Sequence, residues 1–130
     1  MNLHVLPGGP IQTNAYLLTE PPRGEAVLID APLGIWAQVA PILQKERCRL
    51  AELWLTHGHW DHIQGAAEVV RETGAAVSAH QADQVLIETP DVMERFMDEK
   101  MNLEPVCVNR WIAQGDVLEA LGLTAGVRHV

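Results

Sequence analysis

Three imidazoles and a carboxylate occupy six consecutive positions in Thr56-His57-Gly58-His59-Trp60-Asp61-His62, in a chain of 130 residues with six histidines altogether. That density is the chemistry of a metal site. Neutral imidazole and carboxylate are ligand types favoured by Zn²⁺ and similar ions, and no cysteine lies near them. If the segment stays extended, His57 and His59 project to one side, while Asp61 and His62 fall where the chain turns into a helix. Two pairs of ligands predict two adjacent metals.

The apolar run Leu50 to Thr56 reads as a buried strand that carries this loop at its C-terminal end. Ahead of it, Leu3–Leu6, Asn14–Thr19 and Ala26–Asp30 read as a strand meander, broken by Pro7-Gly8-Gly9-Pro10 and Pro21-Pro22-Arg23-Gly24. The third of these strands is apolar enough to be buried on both faces. Ile35, Val39, Ile42 and Leu43 recur at helical spacing between Gly34 and Arg47, and Pro41 predicts a kink or break there. Beyond the loop, Ile63, Ala66, Ala67 and Val70 predict a helix from His62 to about Glu72, stopped by Thr73-Gly74. Ala76–His80 follows as a strand parallel to the one bearing the loop. A short helix over 83–88, an amphipathic helix over 91–102, and two closing strands at Val117-Leu118 and Leu123–Val130 complete the pattern.

This length fits one domain, 1–130, able to bury roughly two-thirds of the surface that its unfolded chain exposes. A net charge of −8, with basic residues scattered, counts against nucleic acid and anionic membranes as partners. No apolar run is long enough to span a membrane and the N-terminus lacks a signal-peptide pattern, so a cytoplasmic location is expected. Cys48 and Cys107 form no C-x-x-C pair and are read as reduced thiols.

His57-Gly58-His59-Trp60-Asp61-His62 resembles the H-x-H-x-D-H signature of the metallo-β-lactamase superfamily, in the strand-to-helix position where that family carries it. Pro7–Leu18 is similar to the N-terminal strand pair of the branch containing glyoxalase II, the hydroxyacylglutathione hydrolases. Val27-Leu28-Ile29-Asp30 is similar to the strand that ends in an Asp behind the metal site. The resemblance implies an α/β fold: the N-terminal half of a four-layer αβ/βα sandwich, a mixed sheet with helices on one face. Gly126-Val127-Arg128-His129-Val130 looks like the strand leading into a later Pro-Gly-His motif, so the chain is expected to stop before the third histidine ligand of the first metal.

The resemblance further implies a metal-dependent hydrolase that cleaves a thioester or related ester-like bond of a small molecule through a metal-bound hydroxide. His57 and His59 would hold one divalent ion and Asp61 and His62 the other, with zinc foremost and iron or manganese as alternatives. Asp61 would also orient the nucleophile, as the catalytic carboxylate. Asp30 would stand behind the ligands, and His80, ending a neighbouring strand, takes a substrate-side or structural role. His4 and His129 do not replace the missing ligands. Two ligands per metal predict weak or partial occupancy and little turnover by the chain alone. An apolar inner face would be left to pair with another copy or with a separate second half, so a noncatalytic half-domain is one alternative. Lactonase, persulfide dioxygenase, β-lactamase and nuclease activities are others.

Overall fold

A computed structural model describes residues 1–56, 60–84, 87 and 106–126, with the backbone alone at 60, 61 and 123. Six strands form one mixed sheet in sequential order: β1 (Asn2–Gly8), β2 (Thr13–Glu20), β3 (Glu25–Ile29), β4 (Arg49–Leu55), β5 (Ala76–His80) and β6 (Arg110–Ile112). The first two pairings are antiparallel and the last three parallel. This split follows from the connections. Short turns join β1, β2 and β3, whereas α1 (Trp36–Glu46) carries the chain from β3 to β4, and α2 (Trp60–Ile63) with α3 (Ala66–Thr73) carries it from β4 to β5. A separate antiparallel hairpin, β7 (Val117–Ala120) and β8 (Leu123–Gly126), follows β6.

The period-two alternation of the strands decides which face is dry. Leu17, Leu28, Leu53 and Val77 are register neighbours across β2 to β5, and they share one core with Val39 and Leu43 of α1 and Ala66 and Val69 of α3. Both helices therefore cover the same face. On the other face a row of partners, Val5, Tyr16, Ile29, Trp54, Ser78 and Arg110, crosses all six strands. At its β1 end this face is open to solvent: Leu3, Val5 and Tyr16 are 60%, 52% and 38% exposed. Ala26, Val27 and Leu28 are fully buried, so β3 has the two-sided burial that its apolar run predicts.

Pro41 does not break α1, which runs through it from Trp36 to Glu46. The proline removes one backbone bond, at a typical cost of about 3 kcal/mol. Burying Val39 and Leu43 returns roughly 1.5–3 kcal/mol each and offsets that loss. The helix expected from His62 to Glu72 is instead two pieces, interrupted at Gln64-Gly65. Gly74 closes α3 in the left-handed conformation, with its N–H donating to Val70 O at 2.8 Å. Residues 81–83 form a 3₁₀ turn, and the expected helix over 83–88 lies partly outside the described residues. The amphipathic helix over 91–102 and the strand end at 127–130 lie outside them entirely. Among the described residues, no helix is long and apolar enough to cross a membrane.

Away from the His-rich loop, Glu46 at the end of α1 clasps the edge of the sheet. Asn2 Nδ2 and the buried Thr19 hydroxyl donate to its Oε1 at 2.5 and 2.8 Å, and His4 Nε2 lies 2.7 Å from Oε2. Led by the Asn2 bond, these partners hold the Glu46 carboxyl below its ordinary value of 4.5, against the opposing effect of burial. A depressed carboxyl pKa contributes stability above its unfolded value and loses it as pH falls through the folded one. Glu46→Gln should therefore lower the melting temperature most above pH 4.5, with the difference from wild type shrinking in more acidic buffer. A gap that is constant with pH in thermal melts would show that the clasp does not carry this linkage.

Candidate functional site

The C-terminal ends of β3, β4 and β5 lie side by side and bear Asp30, Thr56 and His80 in turn, at the sheet edge where α/β folds place their ligands. Asp30 is the pivot. It leaves β3 with φ 65°, a left-handed conformation that Asp tolerates better than most residues, and its N–H still donates to Trp54 O at 2.8 Å. Only 3% exposed, its carboxylate has to be hydrogen-bonded to be stable there.

Three donors converge on it. Thr56 N–H donates to Oδ1 at 2.7 Å, the Thr56 hydroxyl donates to Oδ2 at 2.5 Å, and His62 Nδ1 lies 2.8 Å from that same Oδ2. With the carboxylate as acceptor, Nδ1 carries a proton, and in the neutral ring Nε2 then carries the lone pair. This is the arrangement in which a histidine is oriented as a metal ligand through its other nitrogen.

Main-chain bonds set the distance between Asp30 and His62. Ala31 N–H donates to His62 O at 2.8 Å, and Gly65 N–H donates back to Ala31 O at 2.7 Å. The two backbones approach so closely that a Cβ at position 65 would lie 2.2 Å from Pro32 O. On the opposite side, Gly9 N–H donates to Leu33 O at 3.1 Å. The Asp30–Leu33 segment is thus pinned between the first hairpin and the α2–α3 junction.

His57 and His59 lie outside the described residues, and Asp61 is described by its backbone alone, within α2. His62 is the one motif histidine whose side chain the structure describes, and it is brought to Asp30. Among the described residues, no group of three or more His, Cys, Asp or Glu side chains stands together to hold a metal. His80 accepts a hydrogen bond from Ala82 N–H at 3.0 Å through Nδ1 and caps the turn that follows β5. His4 belongs to the Glu46 clasp at the edge strand, and His129 lies outside the described residues.

Two contributors have no role in the sequence reading. Thr56 opens the motif, and a hydroxyl just ahead of a histidine cluster gives no sign that it is committed to a residue 26 positions earlier. Gly65 interrupts a helical pattern, which is a recognised signal of close backbone approach.

Residues 8–129 match the family model of the metallo-beta-lactamase superfamily. Over 128 residues the chain is 30% identical to the uncharacterized protein Rv2581c of Mycobacterium tuberculosis, covering 95% of this chain and 57% of that protein. It is 26% identical to the hydroxyacylglutathione hydrolase GloC of Haemophilus influenzae, over all of this chain and 61% of that enzyme. The crystal structure of the B3 metallo-beta-lactamase BLEG-1 superposes with a TM-score of 0.82 at 27% identity, covering 98% of this chain and 61% of that one. The chain thus spans roughly three-fifths of the length of these relatives. A six-stranded mixed sheet with its helices on one face, an H-x-H-x-D-H sequence between β4 and α3 and a matching family model together establish that this chain belongs to the metallo-beta-lactamase superfamily.

Proposed function

We propose that this chain supplies the first half of a divalent-metal centre in a hydrolase that cleaves a thioester or related ester-like bond. The observation that carries the reading is the Asp30–His62 contact of 2.8 Å, which in the neutral ring puts the proton of a motif histidine on Nδ1 and its lone pair on Nε2, the nitrogen that a metal would take. Members of the superfamily bind divalent metals such as zinc or iron. The donor set suits such an ion: His57 and His59 would hold one, Asp61 and His62 a second, with zinc the first choice and iron or manganese next. When bound, such ions supply Lewis acidity and acidify water toward a pKa of about 7.

The chain's own residues then have distinct tasks. Asp30 fixes the ring of His62, and Asp61 would orient the attacking water and accept its proton. His80 faces the substrate side of the same edge or serves only as the turn cap. Similarity to a hydroxyacylglutathione hydrolase supports the thioester as substrate, and similarity to a B3 β-lactamase supports hydrolysis more broadly.

Titration of the 130-residue chain with Zn²⁺ should show weak binding that the His57→Ala/His59→Ala double variant loses, with little turnover of a hydroxyacylglutathione thioester. Wild-type binding unchanged by the double variant would reject the site. Rapid thioester cleavage by a verified monomer would reject the half-centre.

The exposed Leu3, Val5 and Tyr16 at the β1 end of the other sheet face support a second reading, a noncatalytic half-domain that pairs with a partner through that end. Light scattering after size exclusion distinguishes it: a stable oligomer that Val5→Lys dissociates favours pairing, and a monomer at all concentrations removes it.

A further inference from the structure

We infer that Thr56 is a positioning residue for the metal centre, acting through Asp30 on the ring of His62; this rests on the metal-site reading above. A single residue clamps both oxygens of the buried carboxylate, its amide on Oδ1 at 2.7 Å and its hydroxyl on Oδ2 at 2.5 Å. A carboxylate held at one oxygen can rotate about that bond. Held at both, its plane is set, and with it the direction in which Oδ2 meets His62 Nδ1 at 2.8 Å.

The consequence for His62 is geometric. Oδ2 is shared between the Thr56 hydroxyl and the imidazole, so the ring is oriented by an acceptor that is itself oriented. Thr56 also directly precedes His57, so the clamp ties the start of the motif to His62, the residue that ends it. The main-chain bonds between Ala31, His62 and Gly65 set how far apart Asp30 and His62 stand, but they place no constraint on the carboxylate plane. That constraint comes from Thr56, whose amide holds Oδ1 and whose hydroxyl holds the Oδ2 that meets His62.

The experiment compares Thr56→Val, which removes the hydroxyl at nearly constant shape and keeps the amide, with Thr56→Ser, which keeps both donors. Val39→Ala, in the helix-side core, serves as a variant that destabilises without touching the site. Two quantities are read in each: Zn²⁺ affinity, and the ring tautomer of His62 in the metal-free protein from long-range ¹H–¹⁵N correlations. Thr56→Val is expected to weaken Zn²⁺ binding about 10–100-fold, the usual effect of losing a group behind a ligand, with Thr56→Ser within roughly threefold of wild type. The metal-free wild type and Thr56→Ser should show a single Nδ1–H tautomer, and Thr56→Val a mixture. Val39→Ala should lower the melting temperature and leave both readouts unchanged.

A Thr56→Val protein with the wild-type tautomer overturns the inference, as does a Thr56→Ser protein that behaves like the valine variant. Equal effects from Val39→Ala would reduce Thr56 to a structural residue and overturn it too. Wild type that binds no Zn²⁺ refutes the metal-site reading, and the tautomer comparison then still decides whether Thr56 positions His62.

Discussion

Asp30→Ala is expected to destabilise the protein by about 2–4 kcal/mol, because it removes a buried carboxylate together with its three hydrogen bonds, from Thr56 N–H, the Thr56 hydroxyl and His62 Nδ1. Each lost bond to a charged acceptor costs roughly 1.5–3 kcal/mol, and water that reaches the exposed Thr56 and the half-buried His62 recovers part of the sum. A second contribution comes from the backbone. At φ 65° an alanine is strained where an aspartate is tolerated, so alanine alone would mix the two effects.

Asp30→Asn separates them. Asparagine accepts the left-handed conformation as readily as aspartate, but it offers one acceptor oxygen and turns an NH₂ toward donors. Its loss, expected at about 2–3 kcal/mol, belongs to the hydrogen bonds. Urea denaturation followed by circular dichroism measures both variants. If Asp30→Asn lies within half a kcal/mol of wild type, the three contacts do not hold the site together.

Gly65→Ala sets two opposing effects against each other. Gly65 has φ −100° and ψ 1°, which alanine adopts without strain, and alanine at the start of α3 would ordinarily stabilise by about 0.4–1 kcal/mol. Against this, the new Cβ would lie 2.2 Å from Pro32 O, 3.0 Å from Pro32 C and 3.2 Å from Ala31 O. All three are backbone atoms and cannot swing aside. Steric conflict wins, because relieving it means pulling α3 off the Asp30–Leu33 segment and breaking the bonds from Gly65 N–H to Ala31 O and from Ala31 N–H to His62 O.

The net cost is expected at about 2–3 kcal/mol, in the range of overpacked cores. Zn²⁺ affinity should fall with it, since the same movement carries His62 away from Asp30. Thermal melts and metal titration of Gly65→Ala test both. A variant as stable as wild type, or more so, would mean that helix propensity outweighs the contact and that the approach relaxes without harm.

How much of this is legible in the chain depends on how local the cause is. β2 to β5 can be read directly, because apolar residues such as Leu17, Leu28, Leu53 and Val77 follow the strand period and are bounded by Gly and Pro turns. β6 is not read at all. Three residues, Arg110–Ile112, carry too little pattern, and they form a strand because β5 offers them a parallel edge. Pro41 predicts a kink or break by local chemistry alone, yet α1 continues through it because burial of Val39 and Leu43 is a tertiary gain. The single helix expected after the loop divides at Gly65 because that glycine packs on a segment more than 30 residues earlier.

The candidate site divides in the same way. Residue types and spacing in His57-Gly58-His59-Trp60-Asp61-His62 identify ligand chemistry and the superfamily, because both are properties of a short contiguous segment. The partner of His62 lies 32 residues away, the bidentate clamp on that partner comes from a third position, and the spacing between the two backbones is set by a glycine. By itself, then, the sequence determined which donor groups the motif offers. Only the tertiary structure decided how one of them, His62, is held and aimed, because orientation is fixed by contacts between strand ends that are neighbours in the sheet and distant along the chain.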